Sequence, residues 1–257
     1  MEPRLASRDE LLRVHSSEYI SEVLDSYRCG QWAGERPDLS ELAQYFVGGT
    51  LMALDLLLRS ECLTAIHFPG AKHHAQFDYS SGFCVFADFA LAAEIASNDF
   101  KKKVAILDID AHHGDGTENL TLNNPNVLTF SVHENGIFPG TGLEDKLEKQ
   151  AFNQALDGRS GDLELIEAVN RFIEINNVFN PDLIFIACGA DGHADDPLSS
   201  LCYTVDGFVQ VAQILRAEYP NMPILMGGAG GYLPDSRTPE IWARFALEIA
   251  SVKEGCH

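Results

Sequence analysis

The chain has 257 residues, with 38 acidic and 18 basic side chains and a formal net charge of −20. A surface this acidic argues against a nucleic-acid partner, whose backbone needs clustered lysine and arginine, and it suits cationic ligands or simple solubility. Hydrophobic residues make up 46% of the sequence. They can build a large core, and no Pro/Ser-rich linker interrupts them, so we expect a single domain over residues 1–257.

Two further features bear on the protein's location. The N-terminus, MEPRLASRDELL, has no apolar signal core, and no uninterrupted apolar run reaches about 18 residues, so we expect neither secretion nor a membrane span. The cysteines are scattered without a CxxC pair, at Cys29, Cys62, Cys84, Cys188, Cys202 and Cys256. We therefore expect reduced thiols in a cytoplasmic protein. Oligomeric state is left open.

Helical periodicity alternates with short apolar runs along the chain. Helices are predicted over 9–25 (with a capping box from Ser7 and Glu10), 39–58, 83–97, 164–176, 205–218 and 239–252. Strands are predicted over 64–68, from 104 onward, and over 127–132, 183–188 and 223–226. This alternation predicts an α/β fold of one domain in three layers, with an open, mostly parallel sheet covered by helices on both faces.

Reactive side chains follow four of these predicted strands. In chain order they are His73 and His74, then Asp108, Asp110, His112, His113 and Asp115, then Asp191, Asp195 and Asp196, and finally Tyr232 after a glycine-rich turn. Any one of these could be structural, as an acidic loop, a buried histidine pair or an ordinary turn. Four such groups, each at the end of a predicted strand, favour a functional site, because the carboxyl ends of parallel strands meet at one edge of a sheet.

The residue types at that edge suit metal-assisted hydrolysis. Asp110 and His112 are two residues apart, so on a strand they would point the same way, and Asp191 would complete three N/O ligands with a position open for water. The tandem histidines could transfer protons, Asp108 and Asp115 could orient them, and Tyr232 could donate to a developing oxyanion. No Gly-x-Ser-x-Gly turn or Cys–His pairing favours a covalent route instead.

Longer motifs occur in a recognisable order: KHHAQFDYSSGFCVFAD, DIDAHHGDGT, FSVHENGIFPGTG, GADGHADDPL and GGAGGY. They resemble the zinc-dependent histone deacetylase family, including its bacterial acetylpolyamine and acetoin-utilisation relatives. The resemblance implies an arginase/deacetylase-like fold and one catalytic Zn²⁺ on Asp110, His112 and Asp191. It also implies removal of acetyl or other acyl groups from lysine side chains, or from related small amines, by metal-activated water.

The resemblance also implies individual roles. His74, paired with Asp115, would be the general base, His73 would pair with Asp108, and Tyr232 would stabilise the transition state. Phe83 and Phe138 would wall an acyl-lysine tunnel, with Leu198 at its mouth. A structural K⁺ would be held by main-chain oxygens of Asp108, Asp110 and His112, by Ser131 and by the Val132 carbonyl.

Two departures from the family pattern predict a modified periphery. The chain begins at about the segment that follows the family's usual first strand, so we expect that N-terminal strand to be lacking. The loop before FPGTG is short and the acidic rim loop of eukaryotic members is absent, so we expect an open mouth to the site.

Three alternatives stay open at this stage. One is an acetylpolyamine deacetylase, although polyamine specialists carry a glutamate where this chain has Leu198. Another is an arginase-type ureohydrolase, although Gly114 replaces the carboxylate that would hold its second metal. The last is an acyl-lysine binding protein without activity, against which the intact Asp110, His74 and Tyr232 argue.

Overall fold

Six strands form the central sheet of the computed structural model, which describes residues 2–251. They are β1 (Thr64–His67), β2 (Val104–Asp108), β3 (Val127–Glu134), β4 (Ala151–Leu156), β5 (Leu183–Ala187) and β6 (Ile224–Gly227). Their order is β1-β6-β5-β2-β3-β4 and every neighbouring pair is parallel. The chain order runs outward from β2 through β3 to β4 on one side, and from β5 to β6 on the other, where β1 forms the edge. The crevice between β2 and β5 is therefore the topological switch point, where open α/β sheets bind ligands.

Helices cover both faces of this sheet. They are α1 (Arg8–Leu11), α2 (Ser17–Leu24), α3 (Pro37–Leu58), α4 (Asp88–Asn98), α5 (Asp115–Thr121), α6 (Asp162–Phe179), α7 (Val205–Glu218) and α8 (Arg237–Ala250). Ala105 and Leu107 of β2 pack in one core with α6, α7 and α8, whereas Val104 and Ile106 pack in a second core with α1 to α4. This alternation along a doubly buried strand produces the three predicted layers.

Two predicted helices depart furthest from their bounds in the structure. The helix expected over 9–25 is broken between α1 and α2, because the Ser16 N–H donates to the Phe77 carbonyl and the Ser16 side chain caps α2. The helix expected over 83–97 begins only at Asp88, because Gly82 and Phe83 have φ values of +50° and +63° in a tight turn. The predicted capping box of Ser7 and Glu10 is present on α1.

Two elements have no counterpart among the sequence predictions. Strand β4, AFNQAL, mixes polar and apolar residues and alternates only partly between buried and half-buried positions. Helix α5, DGTENLT, is seven residues long and lacks an apolar stripe. Both form through neighbours, β4 along β3 and α5 against α4 and β3. Tertiary contacts of this kind leave no local periodicity in the sequence.

Helix α3 is long and apolar enough to cross a membrane, and half of its most apolar stretch is buried inside the protein. Its buried residues, such as Val47 and Leu54, belong to the core shared with α4 and β1. Core helices of soluble proteins have the same composition, so one such helix is a weak indication of a membrane. The absence of a membrane span stays a prediction.

The thiols of the described residues are unpaired, at Cys29, Cys62, Cys84, Cys188 and Cys202. Val252, the predicted end of the last helix, and Cys256 lie outside the described residues. The first element described is helix α1, and the expectation about a missing N-terminal strand stays a prediction.

Candidate active site

Three buried side chains meet at the switch point. Asp110 and His112 lie in the loop after β2, and Asp191 lies in the loop after β5. His112 Nδ1 is 2.9 Å from Asp191 Oδ2 and 3.1 Å from Asp110 Oδ1. One ligand atom from each residue lies within 4.8 Å of the other two, and no other group of three such residues does so in residues 2–251.

Backbone amides hold these carboxylates in place. Strand β2 ends at Asp108, so the expectation that Asp110 and His112 share a strand face is wrong. The His112 N–H donates to Asp110 Oδ1 instead, at 2.9 Å, and thereby folds the loop so that both side chains converge. The Gly230 N–H donates to the second Asp110 oxygen at 2.7 Å. A Cβ on Gly230 would lie 2.6 Å from both Asp110 and Asp191, so only glycine fits there.

The electrostatics of this cluster suit a cation. Burial and the adjacent Asp110 charge raise the pKa of Asp191 to about 7. Burial lowers the pKa of His112, but its contacts with Asp110 and Asp191 outweigh that effect and raise the pKa to about 10. Two buried carboxylates beside one imidazole therefore bind a positive charge strongly. Three N/O donors are the ligand set of a catalytic zinc site, and these residues fit one.

Each tandem histidine has its own carboxylate. His73 Nδ1 is 2.7 Å from Asp108 Oδ2, and His74 Nδ1 is 2.7 Å from Asp115 Oδ1. Burial lowers the pKa of His73, but Asp108 and the other nearby carboxylates raise it to about 9. Burial and the positive charge of His73 lower the pKa of His74 below its usual value. The two neighbouring rings are therefore set to different protonation states.

The structure adds two supports that the sequence analysis did not identify. Gln76 Nε2 donates to Asp115 Oδ2 at 2.8 Å and so fixes the carboxylate behind His74. Buried Asp88 accepts the N–H groups of Ala71 and Lys72, at 2.9 and 2.6 Å, and so anchors the loop just before the histidines. The position of Gln76, two residues after His74, could have marked it as a neighbour of the site. No local signal marks Asp88.

A cavity of about 420 Å³ opens beside the metal-ligand cluster. It is lined by Gln31, His74, Gly82, Phe83, His112, Ile137, Phe138, Leu198 and Tyr232. The Phe138 ring meets the His74 ring edge to face at 4.9 Å. Phe83, Phe138 and Leu198 are 70, 49 and 42% exposed, so they stand at the mouth of this cavity and do not belong to the core.

Asp196 links Tyr232 to the mouth of the cavity. Its two oxygens accept the N–H groups of Tyr232, at 2.9 Å, and of Leu198, at 3.0 Å. Burial and the charges of Asp110 and Asp191 hold the pKa of Tyr232 well above its usual range. The phenol therefore stays protonated as a hydrogen-bond donor. Asp196 is one of the acids predicted at this edge of the sheet, and its sequence context predicts no role for it.

The residues expected around K⁺ also lie together. Ser131 of β3 is the register partner of Asp108 on β2. Ser131 Oγ is 3.0 Å from His133 Nδ1. The main-chain carbonyls of Asp110 and His112 accept no hydrogen bond within residues 2–251. Val132 is buried beside them in β3. Asp110 and His112 thus offer unpaired main-chain oxygens within the metal-ligand loop.

A family model for the histone deacetylase domain matches residues 1–249. The chain belongs to the histone deacetylase family. Among curated relatives, acetoin utilization protein AcuC of Bacillus subtilis (strain 168) is 34% identical over 98% of this chain and 72% of its own length. AcuC of Staphylococcus aureus (strain MSSA476) is 30% identical over 97% of this chain and 70% of its own length.

Solved structures of similar shape include the crystal structure of the HDA15 HD domain. It superposes with a TM-score of 0.85 at 24% identity, covering 98% of this chain and 77% of that one. The predicted fold and the predicted family are thus both confirmed. Membership of the histone deacetylase family makes this chain a hydrolase of the deacetylase type.

Proposed function

We propose that this protein is a zinc-dependent amidohydrolase that removes acetyl or other acyl groups from lysine side chains or related amines. One observation carries the proposal: His74, His112 and Tyr232 face the same cavity, and Asp110 and Asp191 converge on His112 beside it. A proton acceptor, a metal-ligand set and a hydrogen-bond donor thus surround one space. Metal-assisted amide hydrolysis uses these three groups together.

Asp110, His112 and Asp191 would hold the ion. When bound, zinc would supply a Lewis acid that polarises the acyl carbonyl and makes water more acidic. The ordering of these ligands by backbone N–H groups fixes their geometry before the ion arrives. Such preorganisation is what a catalytic metal site requires.

His74 serves as the general base in this proposal. Its Nδ1 is held by Asp115, so its Nε2 is the nitrogen free to accept a proton from water. Because the pKa of His74 is lowered, its ring is neutral near pH 7 and can accept that proton. His73, with its pKa raised to about 9, keeps its proton and adds positive charge beside the reacting carbonyl.

Tyr232 donates its phenol proton to the carbonyl oxygen as negative charge develops there. Its raised pKa keeps that proton in place, and the bond from its N–H to Asp196 fixes the segment that carries it. Donors aimed at a developing charge lower the activation barrier more than they strengthen ground-state binding.

The cavity suits a neutral acyl group on an aliphatic stem. Phe83 and Phe138 offer apolar walls. Because Phe83, Phe138 and Leu198 are exposed at the mouth, we propose that the entrance is broad. The net charge of −20 favours substrates with basic surroundings, such as acetyl-lysine in a protein or a small acetylated amine. For the structural K⁺, the oxygens of Asp108, Asp110, His112, Ser131 and Val132 are the ligands we propose.

The alternatives are less well supported. A ureohydrolase would need a carboxylate at Gly114, where a Cβ would lie 2.4 Å from Asp108 Oδ2. An acetylpolyamine specialist would gain from an acid at the cavity mouth, and Leu198 is apolar there. A purely binding role would leave the histidine–carboxylate pairs of His73 and His74 without a purpose.

Metal content and turnover, measured together, test the proposal. Protein purified without added chelator should contain one zinc per chain by elemental analysis, and it should release acetate from an acetyl-lysine fluorogenic peptide. Asp191→Asn should lose both properties, whereas Asp195→Asn, an exposed carboxylate in the same loop, should keep both. Zinc-loaded protein that hydrolyses neither acetyl-lysine nor acetylpolyamines would contradict the proposal.

A further inference from the structure

A second cavity of about 210 Å³ borders the catalytic cavity. Its lining is mostly apolar and includes Trp32, Leu42 and Phe46. Gln31 and Phe83 line both cavities, so these two side chains form the wall between them. A substrate chain that leaves the catalytic cavity over Phe83 therefore meets the second cavity next.

The backbone of Phe83, which forms part of this wall, has an unfavourable conformation. Ser81 and Cys84 close a tight turn, and Gly82 and Phe83 between them are both left-handed, with φ of +50° and +63°. A bulky residue rarely adopts this conformation without support from its surroundings. Gln31 Oε1 supplies that support by accepting the Phe83 N–H at 2.9 Å. The turn thus places a largely exposed aromatic ring between two cavities.

Lys72 gives the second cavity its chemical character. It lines the cavity, and its Nζ lies 5.3 Å from the centre of the Phe46 ring. The bond from its N–H to Asp88 fixes its backbone. Although the chain has 38 acidic residues, Lys72 forms no salt bridge with any acid of the described part of the chain. An ammonium group without an acidic partner in an apolar cavity is complementary to a carboxylate carried on an apolar group.

We propose that the second cavity binds the part of the substrate that follows the acylated lysine, and that this part is an apolar group bearing a carboxylate. This inference rests on the proposed deacetylase function. A matching substrate is an acyl-lysine followed by a C-terminal aromatic residue. Consecutive Cα atoms lie about 3.8 Å apart, so a residue next to the lysine can cross Phe83. Its side chain would enter the apolar lining and its carboxylate would pair with Lys72.

A binding experiment tests the cavity without any turnover. Trp32 lines it and serves as a fluorescent reporter. Metal-free protein is titrated with 3-phenylpropionate and, separately, with 3-phenylpropionamide. We expect a saturable change in tryptophan emission with the carboxylate and binding weaker by roughly fivefold or more with the amide. Trp32→Phe retains Trp242 and should show no ligand-dependent change. Lys72→Met should remove the difference between the two ligands, and Lys72→Arg should keep it. Equal binding of acid and amide, or no saturable change, would overturn the proposal.

A turnover experiment tests the link to catalysis. Zinc-loaded protein is given ε-acetyl-lysyl-phenylalanine as the free acid, the same dipeptide as its C-terminal amide, and ε-acetyl-lysyl-glycine. We expect kcat/KM to be roughly tenfold higher for the phenylalanine acid than for its amide, mainly through KM. Lys72→Met should bring that ratio close to one. Leu42→Trp, which fills the cavity, should remove the preference for phenylalanine over glycine.

The two experiments separate the two proposals. Hydrolysis of all three dipeptides at equal kcat/KM would overturn the second subsite and leave the deacetylase function supported. Carboxylate-selective binding, with no hydrolysis of any acyl amide by zinc-loaded protein, would contradict the deacetylase function while supporting the anion-binding cavity.

Discussion

The rings of His73 and His74 lie 4.0 Å apart, centroid to centroid, yet each ring is bonded to a different carboxylate. A positive charge on one ring disfavours a positive charge on the other. Near pH 7 His73 is therefore protonated and His74 is neutral.

This difference predicts how Asp115 controls the base. Asp115 raises the pKa of His74, so Asp115→Asn should lower it. The fall of kcat/KM on the acid side should then move to lower pH, because His74 must be neutral to accept a proton. The plateau rate should also fall, because a weaker base transfers protons less well. His74→Ala should lower the plateau of kcat/KM at least as much as Asp115→Asn does. A pH–rate profile of each variant checks this, and an unshifted acid limb in Asp115→Asn would count against His74 as the base.

Removal of one phenol oxygen should separate catalysis from metal binding. We expect Tyr232→Phe to retain its zinc and to lose about a hundredfold in kcat, the usual effect of deleting one oxyanion donor. Tyr203→Phe is a matched control, because the Tyr203 hydroxyl is buried without a hydrogen-bond partner in the described chain. Steady-state kinetics and elemental analysis measure the two properties. Near-native kcat in Tyr232→Phe would refute the assigned role.

A charge at the cavity mouth should redirect substrate choice. Leu198 is exposed there, and Leu198→Glu would place a carboxylate near the second amine of an acetylpolyamine. We expect the ratio of kcat/KM for acetylspermidine to that for an acetyl-lysine peptide to rise by roughly tenfold. Leu198→Gln has a similar shape without the charge and should leave the ratio close to wild type. An equal rise in both variants would assign the effect to shape.

A buried histidine that lines neither of the two cavities should make stability depend on pH. His15 Nδ1 lies 2.8 Å from the Gln76 carbonyl, and its Nε2 accepts the Ala87 N–H at 2.9 Å. Burial lowers its pKa to about 4, so the folded protein favours the neutral ring. The unfolded chain binds a proton near pH 6.5, and stability is therefore present above that pH and lost as pH falls toward 4, by on the order of 3 kcal/mol.

The matched variant for this effect is His15→Gln, whose amide can donate and accept at the same positions but does not titrate. Chemical denaturation of both proteins between pH 7 and pH 4 should show a steeper loss in wild type. Parallel pH curves would remove His15 as the cause.

Much of the fold follows from local pattern. The bounds of α7 agree with the prediction at both ends, and five of the six strands were expected from short apolar runs. Burial on both faces of a parallel sheet demands such runs. Strand β4 was missed because an edge strand tolerates polar residues such as Asn153 and Gln154, which remove that signal.

The sequence by itself determined the family, the three-layer architecture and the candidate ligands Asp110, His112 and Asp191, because these depend on residue types at short spacing. Only the tertiary structure decided how the loops bend. It placed Gln31 against Phe83, across 52 residues, and it left Lys72 without an acidic partner beside Phe46. Contacts between distant segments depend on chain packing that no local periodicity encodes, so the second cavity could be recognised only in the folded molecule.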